Sequence, residues 1–288
     1  MRIAVVMGGI TSEREVSLRS GQAVLDSLIG QGYNAFKIDL THENMVSAFT
    51  ENQFDLAYLV LHGEYGEDGR VQGLLDMLGK KYTGSGMTGS AVAMDKILTK
   101  IIAKDLGIRI PKTYEKVKDV KGYPVVIKPA KEGSSVGLYI CENENEANLA
   151  MENLKNKEPL IEEYIKGEEL TAGILGSEKL GVVRIKPKSG LYDYESKYTV
   201  GMTEYECPAQ IDLKIYEEVL EWAKKIHDKL GLLGVTRSDF LLKDGKAYFL
   251  EVNTCPGMTV TSLAPKLAGL KGYTFDTLTK FMVESVDL

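Results

Sequence analysis

The stretch "RSDFLLKDGKAYFLEVNTCPGM", Arg237 to Met258, holds two apolar-rich runs joined by Lys243-Asp244-Gly245, the composition of a β-hairpin. Asp239, Glu251 and Asn253 stand near the ends of its two strands. Glu251 and Asn253 are two residues apart, so a strand presents both on one face. Three oxygen donors that combine with phosphate oxygens make a natural magnesium site. Whether Asp239 joins them is a question of register. A two-residue Asp-Gly turn pairs Asp239 with Leu250 and aims it at the opposite face. A three-residue turn with Gly245 in a left-handed bulge pairs it with Phe249 and brings it onto the face of Glu251. The expectation is the three-residue form, or another bulge of equal effect, on a strand to which Phe249, Leu250 and Val252 give a buried texture. The alternative is an acidic sheet face in solvent.

Upstream, "VVIKPAKEGSSVG" (Val125 to Gly137) is an apolar strand that ends in Lys128 and runs into a Gly/Ser loop. Such a loop offers backbone N–H groups and hydroxyls to phosphate oxygens while the lysine supplies a point charge. By itself a Gly/Ser loop is also a flexible connector, and the G-x-x-x-x-G-K-[ST] spacing of a P-loop is absent. "LIEEYIKGEEL" (Leu160 to Leu170) places Glu162, Glu163, Glu168 and Glu169 after an apolar strand. Carboxylates accept from ribose hydroxyls and a strand end can pair with an adenine edge, yet on spacing alone this is a solvated charge run.

The amino-terminal third alternates strand and helix, with strands at "RIAVVM", "NAFKIDL" and "FDLAYLVLHG" and helices over 13–29 and 43–50. That order predicts a small doubly wound parallel sheet, with Gly8-Gly9 and His62-Gly63 at the carboxyl ends of its strands facing one crevice. In "GGITSEREVS" the S-x-x-E pattern from Ser12 to Glu15 reads as a capping box. The acidic Glu13 and Glu15 make the turn unsuited to a phosphate, and G-x-G-x-x-G is absent. His62 in "LHGEYGEDG" is a ligand, a base or a turn residue. From 108 to about 167 the chain reads as a small α+β unit, and the remainder as strands around a polar loop and a helix over 213–230.

With 288 residues, 44% hydrophobic and 26% charged, the chain is long enough for two or three domains. A net charge of −6 argues against nucleic acid or an anionic membrane as the main partner. Cys141, Cys207 and Cys255 are odd in number and far apart, which suggests reduced thiols rather than disulfides or zinc. No run approaches a membrane span or a secretory h-region, so the expectation is a cytoplasmic protein.

Six motifs in order, "GGITSEREVS", "LHGEYGEDGRVQGLLD", "YTGSGMTGSAVAMDK", "KPAKEGSSVG", "YDYESKY" and "EVNTCPGMT", closely resemble the D-alanine–D-alanine ligases, of the ATP-grasp family of carboxylate–amine ligases. The resemblance runs essentially end to end. It implies a three-domain ATP-grasp fold, α/β and α+β, with an N-terminal Rossmann-like parallel sheet and divisions at 1–88, 89–167 and 168–288. It implies that ATP is bound by Lys96, Lys128, Ser134, Ser135 and Lys197, with Glu162, Glu163, Ile165 and Glu169 lining the adenine and ribose pocket. Asp239, Glu251 and Asn253 would bind two magnesium ions, with manganese as the alternative.

The first D-alanine would become an acyl phosphate, and the amine of the second would attack it. On the same resemblance Glu13 pairs with the first substrate's ammonium near His62. Arg237 and the Gly257 N–H would be oxyanion donors, and Ser262 and Leu263 would bind the second substrate's carboxylate. Hydrogen bonds from Glu13 through Ser134 to Tyr198 would tie the first domain to a lid at 192–203. Tyr198 in "SKY" favours the dipeptide over D-alanyl-D-lactate, and a homodimer through the first domain is implied. Three departures stand out: Cys255 where serine is common, Thr261 where histidine is common, and Glu163 where lysine is common. Another ATP-grasp ligase and a non-catalytic nucleotide-binding module are the competing readings.

Overall fold

The apolar opening run becomes a strand paired on both sides. In the computed structural model, which describes residues 1–134, 136–188, 196, 199 and 201–287, β1 (Arg2–Gly8) lies parallel between β2 (Asn34–Leu40) and β3 (Leu56–Leu59). β4 (Lys81–Tyr82) completes the order β2-β1-β3-β4. Helix α1 (Arg14–Gly30) covers one face, α2 (Ser47–Thr50) and α3 (Arg70–Met77) the other. Burial on both faces is why β1 carries no polar alternation, and Ile3 to Met7 are at most 1% exposed.

The capping box does not form. Glu13 is itself the N-cap residue of α1 and no side chain caps the helix. The Glu13 carboxylate is engaged across the crevice instead, where the Ser134 hydroxyl donates to its Oε1 at 2.5 Å. The Gly8-Gly9 turn has a steric reason: Gly8 has φ +91°, and a β-carbon there would run into Asp39 and Arg14.

A second sheet, antiparallel, is ordered β5-β8-β6-β7, from β5 (Thr113–Tyr114), β6 (Val125–Pro129), β7 (Tyr139–Cys141) and β8 (Pro159–Glu163). Helix α6 (Glu144–Asn153) closes a separate core in which Ala147 and Ala150 meet Val125, Ile127 and Ile161. In chain order α4 (Met87–Met94) and α5 (Lys96–Asp105) come between the first two sheets, and their Ala93 and Ala103 pack with Phe240 and Phe249 of the third. The stripe that α5 turns inward is Lys96, Thr99, Lys100 and Ala103, whereas Leu98 and Ile101 face out. A helix that buries lysines and exposes leucine is built for a polar site rather than a core.

The third sheet is ordered β11-β10-β9-β12-β13, from β9 (Glu168–Leu175), β10 (Glu178–Pro187), β11 (Thr203–Glu206), β12 (Val235–Lys243) and β13 (Lys246–Asn253). Helix α7 (Leu213–Lys229) packs on one face through Val219, Ala223 and Ile226. On the other side α8 (Leu263–Gly269) and α9 (Phe275–Glu284) join a core shared with the first sheet: Leu267, Leu278 and Met282 pack with Val24, Leu28 and Tyr58. The Ser27 hydroxyl donates to Asp276 at 2.6 Å, tying α1 to α9. The first and third sheets thus share a core, and the second sheet has its own.

The decisive hairpin closes with a two-residue turn, not three. Lys243 pairs with Lys246, and Asp244 and Gly245 have φ of 48° and 70°, the left-handed pair that an Asp-Gly hairpin turn demands. Parity is restored further along. Phe240 pairs with Phe249 but Asp239 pairs with Glu251, leaving Leu250 as an inserted bulge residue. The bulge has the effect expected of the longer turn, because Arg237, Asp239, Glu251 and Asn253 share one face.

Candidate active site

The hairpin face carries a charge network. Arg237 grips Asp239 with two bonds, Nε to Oδ1 and Nη2 to Oδ2, each 3.0 Å. Thr171 of β9, opposite Asp239 in register, donates its hydroxyl to Oδ1 at 2.6 Å, and Asn253 Nδ2 donates to Oδ2 at 3.1 Å. Lys96 Nζ lies 3.1 Å from Glu251 Oε2 and donates to the Glu132 carbonyl at 2.6 Å. One lysine therefore ties the third sheet to the Gly/Ser loop. Glu251 stands at a junction, lining two cavities of ≈480 Å³ and ≈220 Å³.

The smaller cavity lies between the second and third sheets. Lys96, Lys128, Glu162, Glu163, Ile165 and Glu169 line it together with Asp239 and Glu251. Apolar walls come from Val126, Leu138, Ile140 and Leu241, and the bulge delivers Leu250. Glu162, 2% exposed, is held by Lys100 Nζ at 2.7 Å and Lys128 Nζ at 2.8 Å. Burial works to raise the Glu162 pKa, but the two ammonium groups outweigh it and hold the carboxyl below its usual range. Burial pushes Lys100 down to about 8 against the pull of Glu162. At Lys128 burial also pulls downward, and the acids around it win, so it stays firmly charged. Two lysines to one glutamate leave a local excess of positive charge at this point of the wall, which a phosphate oxygen can meet, in a cavity that Glu163, Glu169, Asp239 and Glu251 also line. Lys100 was missed in the sequence, although its position four residues after Lys96 on the polar stripe of α5 is a readable signal.

The larger cavity lies between the first and third sheets, where Glu13, Ser134, His62, Arg237, Asn253, Gly257, Ser262 and Leu263 line one space. The two crevice turns meet as expected, since the Thr11 hydroxyl donates to the His62 carbonyl at 3.1 Å. His62 is 5% exposed and its Nδ1 is 3.0 Å from the Cys255 carbonyl. A carbonyl only accepts, so Nδ1 carries the proton and Nε2 is left as an acceptor. Nε2 has no partner among the described residues. Burial lowers the His62 pKa, with Glu13 pulling the other way.

Glu67, unremarked in the sequence, completes the group. It accepts from Gly63 N–H at 2.7 Å and Cys255 N–H at 3.4 Å. Burial first, and then the charge of Glu13, push its carboxyl up to about 8. Cys255 directs its thiol at the Leu59 carbonyl, and burial raises its pKa, so the thiol is inert. The three cysteines are unpaired. Thr261 lines the cavity and its hydroxyl is 3.3 Å from that of Thr259. Ser135, Lys197, Tyr198 and most of the 192–203 loop lie outside the described residues.

Among the described residues no group of three or more His, Cys, Asp or Glu side chains forms a metal cage, and no helix is long and apolar enough to cross a membrane. Asp239, Glu251 and Asn253 nevertheless fit magnesium by donor chemistry. They are all hard oxygen donors on one face, and magnesium is ordinarily held by one or two carboxylates with substrate phosphates completing its shell.

Two cavities joined at one acidic strand end, under a parallel sheet and two antiparallel ones, define an ATP-grasp fold. Comparison with known proteins narrows the class. The family model "D-ala D-ala ligase C-terminus" matches residues 98–284, and "D-ala D-ala ligase N-terminus" matches residues 43–85. A D-alanine–D-alanine ligase of Fusobacterium nucleatum subsp. nucleatum is 54% identical over 286 residues, covering 99% of both chains. The crystal structure of a Bacillus anthracis D-alanine–D-alanine ligase complexed with ATP aligns over 99% of this chain and 97% of its own, with TM-score 0.85 and 32% identity. A D-Ala:D-Ser ligase from Enterococcus faecalis also aligns at TM-score 0.85, with 28% identity and 99% coverage of each chain. The chain belongs to the D-alanine–D-alanine ligase family.

Proposed function

We propose that the chain joins two D-alanines into D-alanyl-D-alanine with ATP as co-substrate, through an acyl phosphate, for peptidoglycan precursor synthesis. One observation carries the reading: a cavity that holds Lys96 and Lys128 beside Asp239 and a cavity that holds Glu13 meet at Glu251, the geometry for passing a phosphoryl group from a nucleotide to an amino acid. ATP occupies the smaller cavity, its phosphates against Lys96, Lys128 and the loop at Ser134 and Ser135. Glu163, Ile165 and Glu169 line its base and sugar, and Glu162 acts by holding Lys128 in place. Magnesium, bound by Asp239, Glu251 and Asn253, supplies neutralising charge to the transferred phosphoryl group.

In the larger cavity Glu13 takes the ammonium of the first D-alanine, beside the acceptor nitrogen of His62. The carboxylate of the first D-alanine attacks the γ-phosphorus, the bond to the β-phosphate oxygen breaks and ADP leaves, giving the acyl phosphate. The deprotonated amine of the second D-alanine attacks that carbonyl, Arg237 and the Gly257 N–H stabilise the tetrahedral oxyanion, and its collapse expels inorganic phosphate and leaves the dipeptide. Ser262 and Leu263 hold the second carboxylate. Lys197 and Tyr198 are assigned to the phosphates and the lid by the family resemblance. The reading carries divisions at 1–88, 89–167 and 168–288, a homodimer and a cytoplasmic location.

The test is phosphate release with magnesium-ATP and D-alanine, run beside L-alanine, D-alanine with D-serine, and D-alanine with D-lactate, each product identified by mass. D-alanine-dependent release giving D-alanyl-D-alanine is the expected result. Turnover only with D-serine or D-lactate as second partner keeps the ligase chemistry and overturns the dipeptide, and ATP binding without turnover overturns both.

A further inference from the structure

Helix α1 presents a stripe to the larger cavity: Glu13, Val16 and Arg19, spaced i, i+3, i+6, all line it. Glu13 marks one end through its bond to Ser134. The other end is marked one residue beyond Arg19, where the Ser20 hydroxyl accepts the Met258 N–H at 3.2 Å and docks the loop that carries Thr259, Thr261 and Ser262 along the same cavity. Six residues of helix rise about 9 Å. An extended dipeptide spans about 7 Å between its termini, and a zwitterionic one is positive at its amino end and negative at its carboxyl end.

The helix shows the complementary order, acid then base, with the apolar Val16 between them. The cations that line this cavity among the described residues are Arg19 and Arg237, and Arg237 is already held by Asp239 through two bonds. Arg19 makes no hydrogen bond or ion pair among the described residues, and it is exposed at the cavity rim.

We propose that Arg19 binds the carboxylate of the second amino acid, so that α1 measures the dipeptide from ammonium to carboxylate. The inference rests on the ligase reading above and adds a charge-selective contact beyond the Ser262 hydroxyl and the Leu263 backbone. An exposed guanidinium–carboxylate contact is screened by solvent and salt, so its effect is on affinity for the second substrate and on product inhibition.

The experiment compares the full-length protein with Arg19→Gln and Arg19→Lys. Two quantities are read: the KM of each D-alanine site, and competitive inhibition by D-alanyl-D-alanine against D-alanyl-D-alaninamide, which lacks the terminal charge. The unsubstituted protein should favour the dipeptide over its amide. Arg19→Gln should remove about fivefold of that preference and raise the second-site KM by a similar factor, less at high salt, with Arg19→Lys intermediate. The KM for ATP and for the first D-alanine should hold, which a merely structural role would not produce. An Arg19→Gln protein that keeps the full preference for the free carboxylate, or loses both amino-acid sites equally, overturns the proposal. Absence of dipeptide synthesis by the unsubstituted protein would instead defeat the ligase reading.

Discussion

Two buried charge clusters face each other across Glu251 and have opposite signs. At the wall of the smaller cavity, the proposed nucleotide site, Lys128 and, behind it, Lys100 share the single carboxylate of Glu162. In the larger cavity, the proposed amino-acid site, Glu13 and Glu67 gather around a histidine that burial keeps neutral. Each is unbalanced by about one charge, and each imbalance is the complement of what the proposed occupant brings, phosphate in the first and ammonium in the second. The difference teaches where selectivity resides: neither cluster satisfies itself, so each presents one sign of charge to its cavity at one point of the wall.

The largest effect is expected where the cavities join. Glu251→Gln removes a charge that Lys96 opposes at 3.1 Å and that the proposed magnesium needs. Phosphate release should fall at least about a hundredfold while the fold survives in circular dichroism. A loss under tenfold would detach Glu251 from the chemistry and weaken the idea of a junction.

Substitutions within each cluster should separate next. Glu162→Leu strands two buried ammonium groups, so equilibrium unfolding should report a loss of about 3–5 kcal/mol, accompanied by a raised KM for ATP. Glu13→Gln, at the cavity edge, should instead raise the KM of the first D-alanine about tenfold or more with little change in stability. Equal losses for ATP and D-alanine in Glu13→Gln would erase the contrast between the two cavities.

The clusters should also titrate in adjoining windows with opposite slopes. Glu67 is a carboxyl whose folded pKa is raised to about 8 by burial and Glu13. Its folded form therefore binds the extra proton, its contribution is fully present below the ordinary carboxylate range, and it is lost as pH rises toward about 8. Lys100 is a base lowered to about 8 by burial, so the unfolded form binds more protons above that pH and stability recovers from about 8 to the ordinary lysine range near 10.4. Melting curves of Glu67→Gln against the unsubstituted protein should diverge in the variant's favour between pH 5 and 8, in the direction set by that raised value. Parallel curves would mean that Glu67 stays charged.

Much of this was legible in the sequence, for reasons that differ by region. β1 and β3 are buried on both faces, so their apolar runs announced a parallel sheet, and the acidic Glu13 spoke against a phosphate at the first turn, its pairing with an amino group coming only with the family resemblance. Lys100 was hidden because a lysine on an amphipathic helix is ordinarily exposed, and only tertiary contact with Glu162 reveals the inverted stripe of α5. Glu67 was hidden within an acidic run, where spacing does not distinguish it from Glu64. The capping box failed because α1 starts one residue later than the pattern implies: with Glu13 as the N-cap, Ser12 lies outside the helix and Glu15 stands at the second helical position instead of the third.

The hairpin gives the smallest and sharpest test, because the need for a bulge was readable and its place was not: the turn has two residues rather than the expected three. Asp244-Gly245 specifies left-handed geometry locally, whereas the insertion at Leu250 answers to two tertiary demands: Asp239 must face Glu251, and an apolar side chain must reach the nucleotide cavity. Gly245 has φ +70° and open space around its missing β-carbon, whereas Gly63 has φ +72° with Glu13 Oε2 only 2.9 Å from where a β-carbon would be. Both Gly→Ala substitutions carry the same backbone strain of about 1 kcal/mol, and only one reaches the acidic cluster. Gly63→Ala should therefore raise the KM for D-alanine as well as lower stability. Gly245→Ala should lower the unfolding free energy by that increment alone and leave turnover untouched. If Gly245→Ala also slowed phosphate release, the turn would be coupled to the register of Asp239, and the bulge at Leu250 would not by itself hold the acids on one face.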